Sequence, residues 1–468
     1  MMIAPCLLLA LAAMQPPSAA APAQPPLDWR TLEAGVLKEP VQITSRERFI
    51  KAGEAYFSHD DRWVVFQAVE TPAPGKEADP FYAMYVAPVK RDESGSRIIG
   101  LGDPVRVSEP GTANTCGWFD PVRTGMVIFG STITRPADEQ KSGFQVGTRR
   151  YVWMFPAEME VVERAFLPML EIPTTDGGMA TTAAQAMASL RMELEQLKAA
   201  AAPTPAGAAT GLARPAGMKR AITAEMVELD LRRVEELAPF EGPAKPVFTK
   251  PNYDAECSYS SDGRFILYAH VETPKQEGEK ANADISIYDT VTKRHHAIVV
   301  GPGYDGGPFF SPDDKRICYR SDRKGDDLLQ LFVADLRWVD GVPVGMEREY
   351  QITDNGAVNW APYFSRDGGM LIYGSSEVGH HNYELFAVKL DAAMMAHAAS
   401  GAGNAKTVLV NDLPRVRLTH ADGADVLPVF SNDGKTVMWT SQRGPKVQGE
   451  ARPSSQLWVA TWGGLPAR

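Results

Sequence analysis

Several groups of side chains in this 468-residue chain could do chemistry. Two histidine pairs, His295-His296 and His380-His381, carry imidazoles able to ligate a metal. Neighbours on a strand point to opposite faces, and no third ligand stands at metal-binding spacing, so both pairs read as surface turn residues. An aspartate recurs two residues after a serine: Asp60, Asp262, Asp313, Asp367 and Asp433. That context makes turns, so these carboxylates read as structural. A second set stands ahead of the same phrases: Glu54, Asp254, Glu256, Tyr304, Asp305, Asn359, Trp360 and Asp425. Brought together, these carboxylates would make a negative field beside a flat indole face. Such a site suits a cationic segment, a divalent cation or a stacked sugar; equally, the residues could simply solvate a channel. The chain has no G-x-S-x-G, H-E-x-x-H, Walker-type or C-x-x-C motif, so no catalytic residue, metal or cofactor is assigned.

The elements that would gather these residues are legible as a repeat. EAYFSHDDRWVVF, ECSYSSDGRFILY, GPFFSPDDKRICY, APYFSRDGGMLIY and LPVFSNDGKTVMW begin at Glu54, Glu256, Gly307, Ala361 and Leu427, with a weaker copy from Cys116 to Phe129. Each is an apolar strand, a turn and a second apolar strand, which is a hairpin. Third strands follow (YAMYVAPV, ADISIYDT, LQLFVADL, YELFAVKL, SQLWVATW), and short fourth strands begin at Val105, Tyr350 and Val416. Four strands per unit, repeated six times, predict an all-β, six-bladed β-propeller. The last unit stops after its third strand, while EPVQIT, from Glu39 to Thr44, precedes the first hairpin. The N-terminal strand is therefore expected to close the last blade, with Val41 to Thr44 pairing along Leu457 to Thr461. The inner-strand ends of a propeller converge on one mouth of its channel, which would bring Glu54, Asp254, Glu256, Asp305, Asn359, Trp360 and Asp425 together.

The phrases GYDGGPFFSPDDKRICYRSDR, TDNGAVNWAPYFSRDG and LPVFSNDGKTVMWTSQRG resemble the repeats of TolB-like six-bladed propellers, from about Glu39 to Trp462. The resemblance implies a bacterial envelope or secreted protein binding a protein, peptide or glycan through one face. Two features depart from relatives: only a short segment precedes the first blade, unlike true TolB, and no catalytic domain accompanies the blades, unlike the peptidase relatives.

From 168 to 246 the strand pattern gives way to Ala- and Pro-rich sequence, predicting a helical insertion between blades 2 and 3. One helix carries Met187, Leu190, Leu194 and Leu197 on a single stripe, and EMVELDLRRVEEL supplies a second. They are expected to pack on a propeller face; a partner-binding arm is the alternative. The first 21 residues read as an export signal, with an apolar run from Leu7 to Met14 and small residues near Ala20, leaving a mature propeller over 28–468. No later run is long enough to span a bilayer. The expected location is periplasmic or extracellular, and the expected state monomeric. Cys116, Cys257 and Cys318 remain after cleavage. Cys116 and Cys257 sit one residue out of step in the repeat, so free thiols are expected rather than a disulfide. The net charge of −10 argues against a nucleic-acid partner. The function expected is a non-catalytic binding scaffold; the alternative is a hydrolase or lyase acting on a polysaccharide or peptide in the funnel.

Overall fold

A computed structural model describes residues 28–136, 143–145, 150–152, 155–175, 177–201, 222–272, 281–410, 412–450 and 452–466. Residues 1–21, read from the sequence as an export signal, lie outside the described residues. Six sheets, antiparallel apart from one added strand at the outer edge of the fourth, form the blades of a β-propeller. Their first strands are Phe49–Phe57, Asn114–Phe119, Tyr253–Tyr259, Asp305–Phe310, Asn359–Phe364 and Asp425–Phe430. In each blade the chain returns through the second strand and goes on to a third. The second strands read as continuous apolar runs because both their faces are covered: Val64, Val65 and Phe66 have no exposed surface, nor do Leu371, Ile372 and Tyr373.

The hairpin turns repeat one hydrogen-bonding unit. Ser58, Ser260, Ser311, Ser365 and Ser431 each donate a hydroxyl hydrogen bond of 2.6–2.7 Å to the aspartate two residues on. That aspartate accepts a backbone N–H two residues further. These bonds hold Asp313, Asp367 and Asp433 below the usual carboxylate range against the opposing effect of burial. The repeated aspartates are turn residues.

Leu37–Gln42 pairs antiparallel with Gln456–Trp462, completing blade 6 from the N-terminal side. Val41 faces Val459 as expected, and pairing reaches back to Leu37 opposite Trp462. Thr44 adds a hydroxyl bond to Gln456 and accepts the N–H of Leu457.

The helical insertion leaves blade 2 after its third strand, Glu160–Ala165, and the two-residue fourth strand Lys245–Pro246 follows it before blade 3. Its helices, Ala183–Ala201 and Ala224–Leu237, pack on each other and on Met126, Leu167 and Ile172. Leu190 and Leu194 are buried in this cluster, with Met187 and Leu197 at its margin. No helix among the described residues is long and apolar enough to cross a membrane.

Candidate binding site in the central channel

Each first strand carries a β-bulge at one equivalent place, where an extra residue enters the pairing with the second strand. The bulged residues are Glu54, Cys116, Glu256, Gly307, Ala361 and Leu427, all left-handed with φ of 45° to 58°. For residues with a Cβ this conformation costs roughly 1–2 kcal/mol, and its recurrence in all six blades marks it as a property of the fold. Bulges re-aim side chains, and here they bring residues of different blades into contact.

Cys116 Sγ donates to Glu54 Oε1 at 2.9 Å. Glu256 accepts the Tyr304 hydroxyl at 2.5 Å, Arg320 Nη2 at 3.2 Å and the backbone N–H of Gly307. Arg320 Nη2 also donates to the Tyr304 hydroxyl oxygen at 2.7 Å. Arg320 belongs to the second strand of blade 4 and reaches this layer because residue 307 has no side chain: a Cβ there would collide with its Nη1. Its guanidinium lies 5.9 Å from the ring centroid of Trp360. Two residues further along the first strands, Tyr56, Trp118, Phe309 and Tyr363 pack ring to ring with centroids 4.9–6.5 Å apart. They close the channel below the polar layer. The Arg320 and Glu256 side chains retain 11% and 10% exposure, so this polar layer is nearly but not wholly buried.

Burial pushes the Glu54 carboxyl above its ordinary range, with the Cys116 bond opposing and the nearby Glu256 reinforcing the rise. Burial, then Glu54 and Glu256, hold the Cys116 thiol well above the usual range, so it is a hydrogen-bond donor and not a thiolate.

The residues expected at the mouth divide into two groups. Glu54, Glu256 and Tyr304 belong to this polar layer, and Trp360 flanks it beside Arg320. Asp254, Asp305 and Asn359 have no exposed surface and Asp425 has 1%. They stand two residues before the bulge and are engaged within the blades. Asp254 bonds His270 at 2.8 Å, and Asn359 accepts from Ser375. Asp305 pairs with Arg323 at 2.9 Å, and Asp425 with Arg443 at 2.6 Å. The charges of Asp305 and Asp425 are therefore countered by arginines, and Arg320 brings positive charge into the polar layer itself. Sequence reasoning did not single out Arg320 or the role of Cys116. A detectable signal existed for Arg320: blade 4 has glycine where the repeat carries a side chain, and a long arginine where paired positions in other blades are Gln67, Gly130, Ala269, Gly374 and Thr440.

Among the described residues no cluster of three or more His, Cys, Asp or Glu is arranged to hold a metal. His380 and His381 are exposed on the loop between the second and third strands of blade 5. His295 is exposed and bonded to the Tyr268 hydroxyl at 2.8 Å. Cys116, Cys257 and Cys318 are free and buried, as the register offset predicted for the first two.

No family model and no curated protein matches the chain. Among solved structures it is similar to a protein described as TolB from Agrobacterium tumefaciens: 12% identity, 90% of this chain and 96% of that one covered, TM-score 0.42. It is also similar to an oligogalacturonate lyase from Vibrio parahaemolyticus: 9% identity, 91% and 95% covered, TM-score 0.41. Tricorn protease is similar at 11% identity, over 90% of this chain but 36% of that one, with TM-score 0.38.

Proposed function

We propose that the chain is an exported, non-catalytic recognition propeller, periplasmic or extracellular, that binds an envelope protein, peptide or glycan at the channel mouth where the first strands begin. The observation that supports this reading is the polar layer of Glu54, Glu256 and Arg320 lying next to four packed aromatic rings. Acceptors and a fixed guanidinium side by side suit a ligand with both donors and acceptors better than a bare cation. Trp360 beside Arg320 adds a face on which a sugar or an apolar side chain stacks. Asp254, Asp305 and Asp425 belong to the proposal as the buried supports of this mouth. A second reading, a polysaccharide or peptide hydrolase or lyase, draws on one feature: a carboxyl whose proton affinity is raised by burial, Glu54, near a second carboxyl, Glu256.

Binding to glycan and peptide arrays, followed by titration of the best ligand, tests the proposal. Glu54→Gln and Trp360→Ala are expected to melt within a few degrees of the parent and to bind at least tenfold more weakly, with the ligand recovered intact. Unchanged binding by both variants would refute the site. Cleavage of the ligand by the parent but not by Glu54→Gln would establish the enzymatic reading.

A further inference from the structure

The opposite mouth, where the hairpin turns lie, holds a cavity that the proposed function does not use. It has a volume of about 100 Å³ and is floored by Trp118, Phe309, Tyr363 and Ser258. Ser258 stands among large rings at its level of the channel, at the place equivalent to Tyr56, Trp118, Phe309 and Tyr363 in other blades. An enclosed apolar cavity of about 150 Å³ accepts benzene, so this one takes a body of four or five carbons.

Its rim comes from equivalent turn residues, among them His59, Ser261, Arg366 and Asn432. The acidic groups of the rim are already engaged. Asp314 accepts the backbone N–H of Ser261 at 3.0 Å and its hydroxyl. Asp61 accepts the backbone N–H and the side-chain amide of Asn432 at 2.7 and 2.9 Å. Asp367, next to Arg366, is turned back onto Ser365 and Gly369. Arg366 and His59 are both exposed, and neither has a hydrogen bond or ion pair among the described residues. They stand on blades 5 and 1, yet share one field: after burial, Arg366 is the largest influence lowering the proton affinity of His59. The Arg366 stem runs close beside Gly434 of the next blade, where an added Cβ would lie 3.3 Å from the Arg366 Cβ.

We propose that this mouth is a binding site for a branched aliphatic carboxylate, its apolar body seated on the aromatic floor and its anionic group held by Arg366. The shared chemistry could be supplied by a free acid or by the terminal residue of a peptide.

Ligand-observed NMR titration of the full chain separates the possibilities. Isovalerate is the first probe, with isoamyl alcohol and isoamylamine as its neutral and cationic counterparts. Isovalerate should saturate in the millimolar range, as expected for a ligand of so few atoms, and bind at least fivefold tighter than the alcohol, with the amine weaker still. Arg366→Gln should reduce isovalerate to the level of the alcohol, and Arg366→Lys should recover part of the difference. Adamantane-1-carboxylate, too large for the cavity, should not compete, a readout that depends on no variant. An acetylated tripeptide ending in leucine that outcompetes isovalerate, while its amide does not, would identify a chain terminus as the ligand; the reverse order would identify a free acid. Equal binding of the three small probes, no saturation, effective competition by the adamantane acid or an unaffected Arg366→Gln would overturn the proposal.

Discussion

At the scale of single residues, Gly307 and Arg320 form a lock. Position 307 is left-handed at φ 58°, and the space beside it is filled by the Arg320 guanidinium on its way to Glu256. Gly307→Ala therefore meets both backbone strain and a steric clash, and should destabilise by about 2–4 kcal/mol. Arg320→Ala leaves Glu256 without its cation and should cost about 3 kcal/mol. Once the arginine is gone the alanine has room, so the double variant should lose at least 1 kcal/mol less than the sum. Chemical denaturation of the four proteins measures this coupling, and additive losses would mean that the two residues do not share the space. The carboxylates of the mouth were legible because they precede a recurring phrase. Their burial was not: the partners of Asp305 and Asp425, Arg323 and Arg443, lie 18 residues away, two residues beyond the end of the second strand, and only the folded pairing brings them together.

Protonation gives a second residue-scale prediction. Burial outweighs the bonds from Thr419 and Arg417 and raises the Glu384 carboxyl to about 8. Between the ordinary glutamate range and that value the folded chain binds more protons than the unfolded one, so stability falls as pH rises through the window and levels off above it. Glu54, raised in the same direction, adds to the trend. Glu384→Gln keeps an acceptor for Thr419 and removes one titrating group. Its stability should decline less steeply between pH 5 and 8, by at most about 1.4 kcal/mol per pH unit. Denaturation at several pH values checks this, and parallel slopes for parent and variant would exclude Glu384 as a contributor.

At the scale of elements, the helical insertion is an appendage with a docking face. The strands of blade 2 on either side pair without it, since Glu160–Ala165 bonds both Met126–Ser131 and Lys245–Pro246. The helices nevertheless cover Met126, which is fully buried, with Leu167 and Ile172. Replacing residues 177–240 by a short Gly/Ser linker should leave a cooperatively folded propeller that is less stable and more prone to associate through the uncovered patch. Circular dichroism and light scattering test both halves, and loss of the folded state would show that blade 2 requires its helices. The apolar stripe of Met187, Leu190, Leu194 and Leu197 announced a packed helix, but a stripe does not name its partner. The receiving residues are interleaved with ordinary strand and loop sequence, so the docking surface could be recognised only in the fold. A smaller addition was also hidden: Thr407–Leu409 pairs in parallel with the outer edge of blade 4, after the helix Ala392–Gly401, and covers an edge that the repeat alone leaves open.

At the scale of the whole molecule, the contacts that close the ring do not depend on where the chain is cut. The strand Leu37–Gln42 completes blade 6. Glu33, in the short helix Trp29–Glu33, shares the buried Arg443 with Asp425 at 2.7 and 2.6 Å. Asp61 in the first turn of blade 1 accepts two backbone N–H groups from the last turn, those of Asn432 and Asp433. The two ends also meet, since the N–H of Gly463 bonds the carbonyl of Val36 at 2.7 Å. A circular permutant can therefore join the ends by a short linker and open the chain between Gly301 and Pro302, in the connection from blade 3 to blade 4. Every closing contact survives, and the strand that completes blade 6 becomes the direct continuation of that blade. The permutant should melt within about 5 °C of the parent, the scale expected when roughly 1–2 kcal/mol changes in a domain of this size. Deleting residues 28–44 from the parent removes the strand and Glu33 together, leaving two strand edges and a buried arginine short of one partner. That variant should melt more than 10 °C lower. Closure is the common cause of both results, so a permutant as unstable as the deletion would show that the ring depends on the unbroken connection between blades 3 and 4 rather than on the contacts at its seam.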